Sequence, residues 1–259
     1  MKIKIVDTKI CDSCMSIECT FVDSILKPEY YSLRTESTVC PVAYLSEKPT
    51  NLLNGFFLDS KKCINCGLCI INCPKSNLQM IDYEYNISTF ENLSEQQYNA
   101  IALSYLKKIF GFAANTNRNS SIDFDGYVQF QKTNFEAFVE VDYGNDSLES
   151  CRRLLGDFLT YRGSFVSEYD SVNNGIIVLK DFPLENSRDV YNLINCIKDF
   201  PTTKKKHILI ITFSLLRHLA ITGINIESPE DIFFSPKLEK LEEFKKRISL
   251  KYGISEELM

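Results

Sequence analysis

Cysteine placement constrains this chain more than any other feature. Of ten cysteines in 259 residues, eight stand at positions 11, 14, 19, 40, 63, 66, 69 and 73, while Cys151 and Cys196 are isolated far downstream. Residues 63–74 read C-I-N-C-G-L-C-I-I-N-C-P, a C-x2-C-x2-C-x3-C-P run. The opening MKIKIVDTKICDSC lacks the apolar core of a secretory leader, and no stretch nears the roughly 18 to 20 apolar residues of a membrane helix. The expectation is therefore a cytoplasmic chain. Thiols stay reduced in that compartment, so this many cysteines point to metal ligation rather than to a disulfide framework.

The run resembles the cluster loop of bacterial two-cluster ferredoxins, and the approach FFLDSKKC resembles the short strand that leads into it. Three thiolates two residues apart on a tight loop can cap three irons of one cubane. The fourth sits a helical turn on, faces elsewhere, and in this pattern ligates the other cluster. Gly67 lets the backbone pass close to the sulfides, and Pro74 fixes the chain as it leaves the last ligand. The partner set lies upstream as C-D-S-C-M-S-I-E-C over 11–19, followed by Cys40-Pro41. The resemblance implies a crossed assignment, with Cys11, Cys14, Cys19 and Cys73 on one 4Fe-4S cluster and Cys40, Cys63, Cys66 and Cys69 on the other. The upstream set departs from the family's pattern, since four residues separate Cys14 from Cys19 and about twenty precede Cys40. Two all-cysteine zinc tetrahedra are the alternative. Zinc ligands, however, usually come as separated C-x2-C pairs, not as one four-cysteine run closed by Pro.

These motifs imply a ferredoxin-like module over residues 1–90, with Lys2 to Val6 and Leu78 to Tyr83 as paired edge strands and an insertion over 21–53. Its nine Lys/Arg and ten Asp/Glu leave a formal −1. Two oxidised cubanes, each adding about −2 with its thiolates, bring the module to roughly −5, so a redox partner would present a basic face.

Beyond residue 90 the chain changes character. Ser94-x-x-Gln97 opens a helix whose apolar residues, Tyr98, Ile101, Ala102, Tyr105, Leu106, Ile109 and Phe110, recur at three- and four-residue steps until Gly111 stops it. Ile122–Gln131 and Phe135–Tyr143 read as a hairpin joined through Lys132-Thr133-Asn134. A helix over 147–161, a strand over 175–179, a helix over 187–199 and a doubly covered apolar strand over 208–213 come next. Near the end, Ser235-Pro236 starts a charged helix over 237–251. It carries Leu238, Leu241, Phe244 and Ile248 on one side, with Glu242/Lys246 and Glu243/Arg247 as pairs. The expected fold class is α+β: the two-cluster module, then an α/β layered domain over 91–259 with a mixed sheet.

The order of elements, with FDGYVQF followed by FEAFVEVD and a helix, resembles the restriction-endonuclease-like core of replication-relaxation type over about residues 94–222. In that family an acid on one strand and an acid-x-Lys on the next bind Mg2+ and activate water. Asp125 matches the first acid and Glu140 the second, while Asp142 stands where the family has Lys. Strand alternation sets Glu136, Glu140 and Asp142 on one face, and Lys132 lies on the preceding turn. The plainer reading of Glu140 and Asp142 is a solvated strand face. Cys151 and Cys196 read as core thiols, and His207 and His218 are too sparse for a His-based metal site. Lys204, Lys205 and Lys206 read as a solvated loop with phosphate contact as the alternative.

Three functions compete. The first is an electron-transfer or redox-sensing subunit of a larger assembly, with a protein redox partner and no membrane. The second is a nucleic-acid-processing or defence-associated protein, its nuclease-like domain pinned by the clusters and using Mg2+. The net charge of −5, with twenty Lys/Arg against twenty-four Asp/Glu over 91–259, weakens bulk attraction to phosphate and counts against it. The third is a non-catalytic assembly subunit. No G-x-G-x-x-G, P-loop or Ser-His-Asp set occurs in sensible context, so nucleotide-dependent chemistry is not indicated.

Overall fold

The computed structural model describes residues 3–6, 66–71, 73, 75–80, 93, 95–114, 124–130, 132–142, 152, 153, 156, 172, 174–182, 207–235 and 238–259. The chain divides into two compact units, Met1–Ser104 and Tyr105–Met259.

In the first unit, β1 (Ile3–Ile5) pairs antiparallel with β2 (Leu78–Met80), with Ile3 opposite Met80 and Ile5 opposite Leu78. The expected edge-strand pair is therefore present, with the second strand starting at Leu78 as expected and Val6 lying just past the end of the first; Lys2 and residues 81–83 lie outside the described residues. Among the described residues between them is one helical turn, α1 (Leu68–Ile71). Leu68, Ile71 and Leu78 are buried and give this loop a small apolar base. The insertion over 21–53 lies outside the described residues.

The helix expected after residue 94 is α2 (Glu95–Phe110), and it ends where Gly111 takes φ 92°. Only glycine adopts such a backbone freely, so the stop is local. From that glycine the chain enters β3 (Gly111–Ala114) with no connecting loop, a strand for which the sequence offers no signal. Four residues of Gly, Phe and Ala carry no readable period. The strand exists through its antiparallel pairing with β4 (Gly126–Phe130), Gly111 opposite Phe130.

The expected hairpin is β4 and β5 (Glu136–Val141), with Gly126 opposite Val139 and Gln129 opposite Glu136. Its turn is tied by Phe130 N–H donating to Phe135 O at 3.0 Å and by Phe135 N–H donating to Thr133 Oγ1 at 3.2 Å. β6 (Asn174–Leu179) runs parallel to β5, and β7 (His207–Thr212) runs parallel to β6. The result is a mixed five-stranded sheet in the order β3-β4-β5-β6-β7.

β4 alternates buried and exposed positions, whereas β5 and β6 are buried from their second residue onward. That is the mark of parallel strands covered on both faces. Ile208 to Ile211 in β7 are equally buried, as their unbroken apolar run implies. Phe213 departs from the expected strand and instead begins α3 (Phe213–Thr222), a helix to which the sequence assigns no boundaries. Thr212 caps it, since Leu215 N–H donates to Thr212 Oγ1, and Gly223 ends it at φ 64°.

Of the helices expected over 147–161 and 187–199, Arg152, Arg153 and Gly156 are described and helical; the remainder lies outside the described residues. The terminal helix, α4 (Leu241–Tyr252), starts four residues later than the sequence suggests. Leu238 precedes it and is 77% exposed, so the apolar stripe reduces to the buried Phe244 and Ile248. Glu243 does not pair with Arg247. Its Oε2 accepts the Lys240 N–H, while Arg247 bonds Glu239 through Nε at 3.0 Å and Nη2 at 2.6 Å. The helix's first turn leaves donors unsatisfied, and Glu243 is spent on one of them.

Candidate metal centre

Cys66 is buried, and Gly67 follows it in the left-handed region at φ 74°. Ile70 and Ile71 N–H both donate to Gly67 O, which starts α1, and Cys69 lies within that turn. Cys73 N–H donates to Ile70 O, so the last cysteine of the run leaves on the following turn and is half-buried. The left-handed Gly67 and the single helical turn set Cys66 and Cys73 on successive bends of one short loop, as the two spacings within the run require.

These residues fit an iron–sulfur cluster. Cys66 and Cys73 are thiols rather than halves of a disulfide, and thiolates are the ligands such clusters take. Asn77 N–H donates to Cys73 Sγ at 3.3 Å. A donor aimed at sulfur is useful chiefly when that sulfur carries negative charge, as a metal-bound thiolate does. Cys11, Cys14, Cys19, Cys40 and Cys63 lie outside the described residues, as do Cys151, Cys196 and Lys204 to Lys206.

The acidic candidates of the second unit are placed differently from one another. Asp125, just before β4, accepts the Val141 N–H on Oδ2 at 2.8 Å, so it ties the start of one strand to the end of the next. Glu140 is 2% exposed and lies 2.6 Å from the Arg153 guanidinium. Asp142 is buried, and its N–H donates to Val178 O at 2.8 Å, extending the β5–β6 ladder. Burial of both overturns the solvated strand face: β5 is an interior strand, and its polar residues at the carboxyl end go inside with it. Glu136, at the other end, is half-buried and accepts from Gln129 Nε2 at 3.3 Å across the hairpin.

Among the described residues no three His, Cys, Asp or Glu side chains converge as a metal-holding group. Lys132 turns away from these acids, donating from Nζ to Asn225 Oδ1 at 2.9 Å. Burial, and secondarily the neighbouring Arg217, hold the His218 imidazole below its ordinary pKa. Spacing shows neither the Asn77 amide nor the Arg153 partner of Glu140, because both arise from how distant segments meet.

Comparison with known proteins agrees with the loop geometry. Residues 56–78, which include Cys63, Cys66, Cys69 and Cys73, match the family model of a 4Fe-4S binding domain. The match supports an iron–sulfur module of ferredoxin type and, with it, electron transfer as the kind of chemistry. No curated protein and no solved structure matches the chain. Among the described residues no helix is long and apolar enough to cross a membrane.

Proposed function

We propose that this chain holds two 4Fe-4S clusters and acts as an electron-transfer or redox-sensing subunit of a larger assembly rather than as a stand-alone enzyme. One observation carries the reading: a segment matching a 4Fe-4S binding domain also has an N–H donor directed at the sulfur of its last cysteine. Cys40, Cys63, Cys66 and Cys69 hold one cluster, and Cys11, Cys14, Cys19 and Cys73 hold the other. When bound, such clusters supply one-electron redox chemistry. The chain supplies thiolates, a left-handed turn at Gly67 and the Asn77 donor.

The module over residues 1–90 carries the redox function and, being negatively charged, meets a redox partner with a basic face, while the domain over 91–259 serves as the docking platform. Anaerobic iron and sulfide analysis with an EPR redox titration tests this. The expected result is about eight iron and eight sulfide per chain, as two cubanes require, with both signals reduced reversibly. Zinc without sulfide would overturn it.

The nucleic-acid-processing alternative rests on the resemblance alone; the one observation that brings two of its acids near each other in the fold is the Asp125 carboxylate bonded to the Val141 N–H, between Glu140 and Asp142. In that reading Asp125, Glu140 and Asp142 serve an Mg2+-dependent nuclease. DNA cutting with Mg2+ or Mn2+ that disappears in Glu140→Ala supports it, and absence of cutting with either metal removes it.

A further inference from the structure

The turn after Cys73 is built around a strained residue. Ser76 takes φ 49°, the one positive φ outside glycine among the described residues, and a side chain makes that conformation costly. Ser76 N–H donates to Cys73 O at 3.0 Å and closes the turn. The next amide is thereby sent back toward the cysteine, where Asn77 N–H reaches Cys73 Sγ at 3.3 Å. Asn77 is buried and is gripped on its far side as well, because Val6 N–H donates to Asn77 O at 2.9 Å. That bond continues the β1–β2 ladder past the Ile5–Leu78 pair. A single peptide segment thus joins a candidate ligand sulfur to the amino-terminal strand.

We propose that Asn77 is a positioning residue of the redox site: its main-chain N–H, fixed by the Ser76 turn and by Val6, raises the reduction potential of the cluster that Cys73 ligates. This rests on the reading of Cys73 as a cluster ligand. One-electron reduction adds a negative charge, part of which falls on the ligand sulfurs. A donor to Cys73 Sγ stabilises the reduced state more than the oxidised one, and it does so more strongly where water is excluded. Hydrogen bonds to cluster sulfurs are among the recognised determinants of potential. Holding the amide in advance, at the cost of strain at Ser76, avoids reorganisation when the electron arrives. The β1–β2 pair becomes part of the redox site even though neither strand contributes a ligand.

The test is an anaerobic EPR titration of the full-length protein with dithionite as electron donor, comparing wild type with Ser76→Val, Ser76→Gly and Val6→Pro. Valine resists the left-handed region and displaces the Asn77 amide, whereas glycine keeps it. Proline at 6 removes the donor to Asn77 O, and Ile5, already extended, tolerates a following proline. For Ser76→Val we expect a fall in the reduction equilibrium constant of one cluster of roughly threefold to tenfold, the scale of a single hydrogen bond. The other cluster should be unmoved. Val6→Pro should shift the same cluster less, and Ser76→Gly should match wild type. Iron and sulfide content should be equal in all four proteins.

Unchanged potentials in Ser76→Val and Val6→Pro at full iron content would overturn the inference while leaving the cluster assignment intact. Wild-type protein without iron and sulfide would instead remove the assignment on which it rests. If Ser76→Val loses iron, Val6→Pro decides: a shifted potential supports the inference and an unshifted one overturns it.

Discussion

The Arg153 guanidinium stands 2.6 Å from Glu140 Oε1, although the carboxylate is 2% exposed and the arginine side chain 43% exposed. One partner is thus inside the sheet and the other at the surface, and the pair carries the Glu140 charge into a place where it would otherwise be costly. Removing the arginine leaves that charge without this partner. Arg153→Ala should destabilise the protein by about 2 kcal/mol, below the range for a fully buried pair because water screens the arginine end. Chemical denaturation measures it. Glu140→Gln/Arg153→Ala should cost less than the sum of the two single changes; strict additivity would show that the pair is not coupled.

Phe110 organises the aromatic core of the second unit. Its ring stacks on Phe135 and on Phe233, each at 5.9 Å between centroids, and meets the Phe130 edge at 5.8 Å. Phe110→Ala should cost about 3 to 5 kcal/mol through lost burial and the cavity left behind. Phe110→Leu should recover much of that. A loss under about 1 kcal/mol for alanine would mean that the surrounding rings collapse into the space.

Arg247 fastens α4 to the segment before it. Besides its two bonds to Glu239, its Nη1 donates to Asp231 O, and its guanidinium lies 5.3 Å from the Phe244 ring centroid. Lysine keeps the charge but cannot reproduce a planar fork. Arg247→Lys should therefore lose most of the stability that Arg247→Ala loses, about 1 to 2 kcal/mol for partly buried charge-assisted bonds. Faster amide exchange confined to residues 241–252 is the accompanying signature.

His218 should make stability depend on pH. Its folded-state pKa is lowered from 6.5 by burial and by Arg217, so the unfolded chain binds the proton more readily. Stability is complete above the unfolded value and falls as the pH drops from about 6.5 toward the folded pKa, below which this residue adds no further change. Denaturation midpoints measured between pH 7.5 and 5 should decline more in wild type than in His218→Gln. Equal slopes would show that the imidazole is not responsible.

The proposed crossed ligation predicts that Cys66 and Cys73 serve different clusters and are separable by substitution. Cys66→Ser should weaken or abolish one EPR signal and Cys73→Ser the other, with iron content falling toward half in each, because each cubane requires its fourth thiolate. Loss of the same signal in both variants would replace the crossed pairing with a local one.

Much of the fold is legible in the sequence because it obeys short-range rules. The α2 period runs until Gly111, the Lys132-Thr133-Asn134 turn joins β4 to β5, and the unbroken apolar run of β7 marks an interior strand. β3 is not legible, since Gly-Phe-Ala-Ala has no period and becomes a strand only through the partner it finds. Ser235-Pro236 is a strong local signal that sets the start of α4 too early, whereas the helix begins where Glu243 can satisfy Lys240 N–H.

The chain's chemistry is written in residue order: cysteine spacing depends on how few backbone conformations can bring thiolates to one cubane, so it survives as a pattern without any fold. Burial cannot be read that way. Glu140 and Asp142 look like surface acids in a strand that ends in a polar turn. They are interior because β6 lies beside β5 and Arg153 comes in from a different element. The Asn77 donor has the same origin, a left-handed Ser76 and a strand some seventy residues away in sequence. Contacts between segments remote in the chain have no local signature, and those contacts determine which polar groups are shielded from water and which sulfur receives a hydrogen bond.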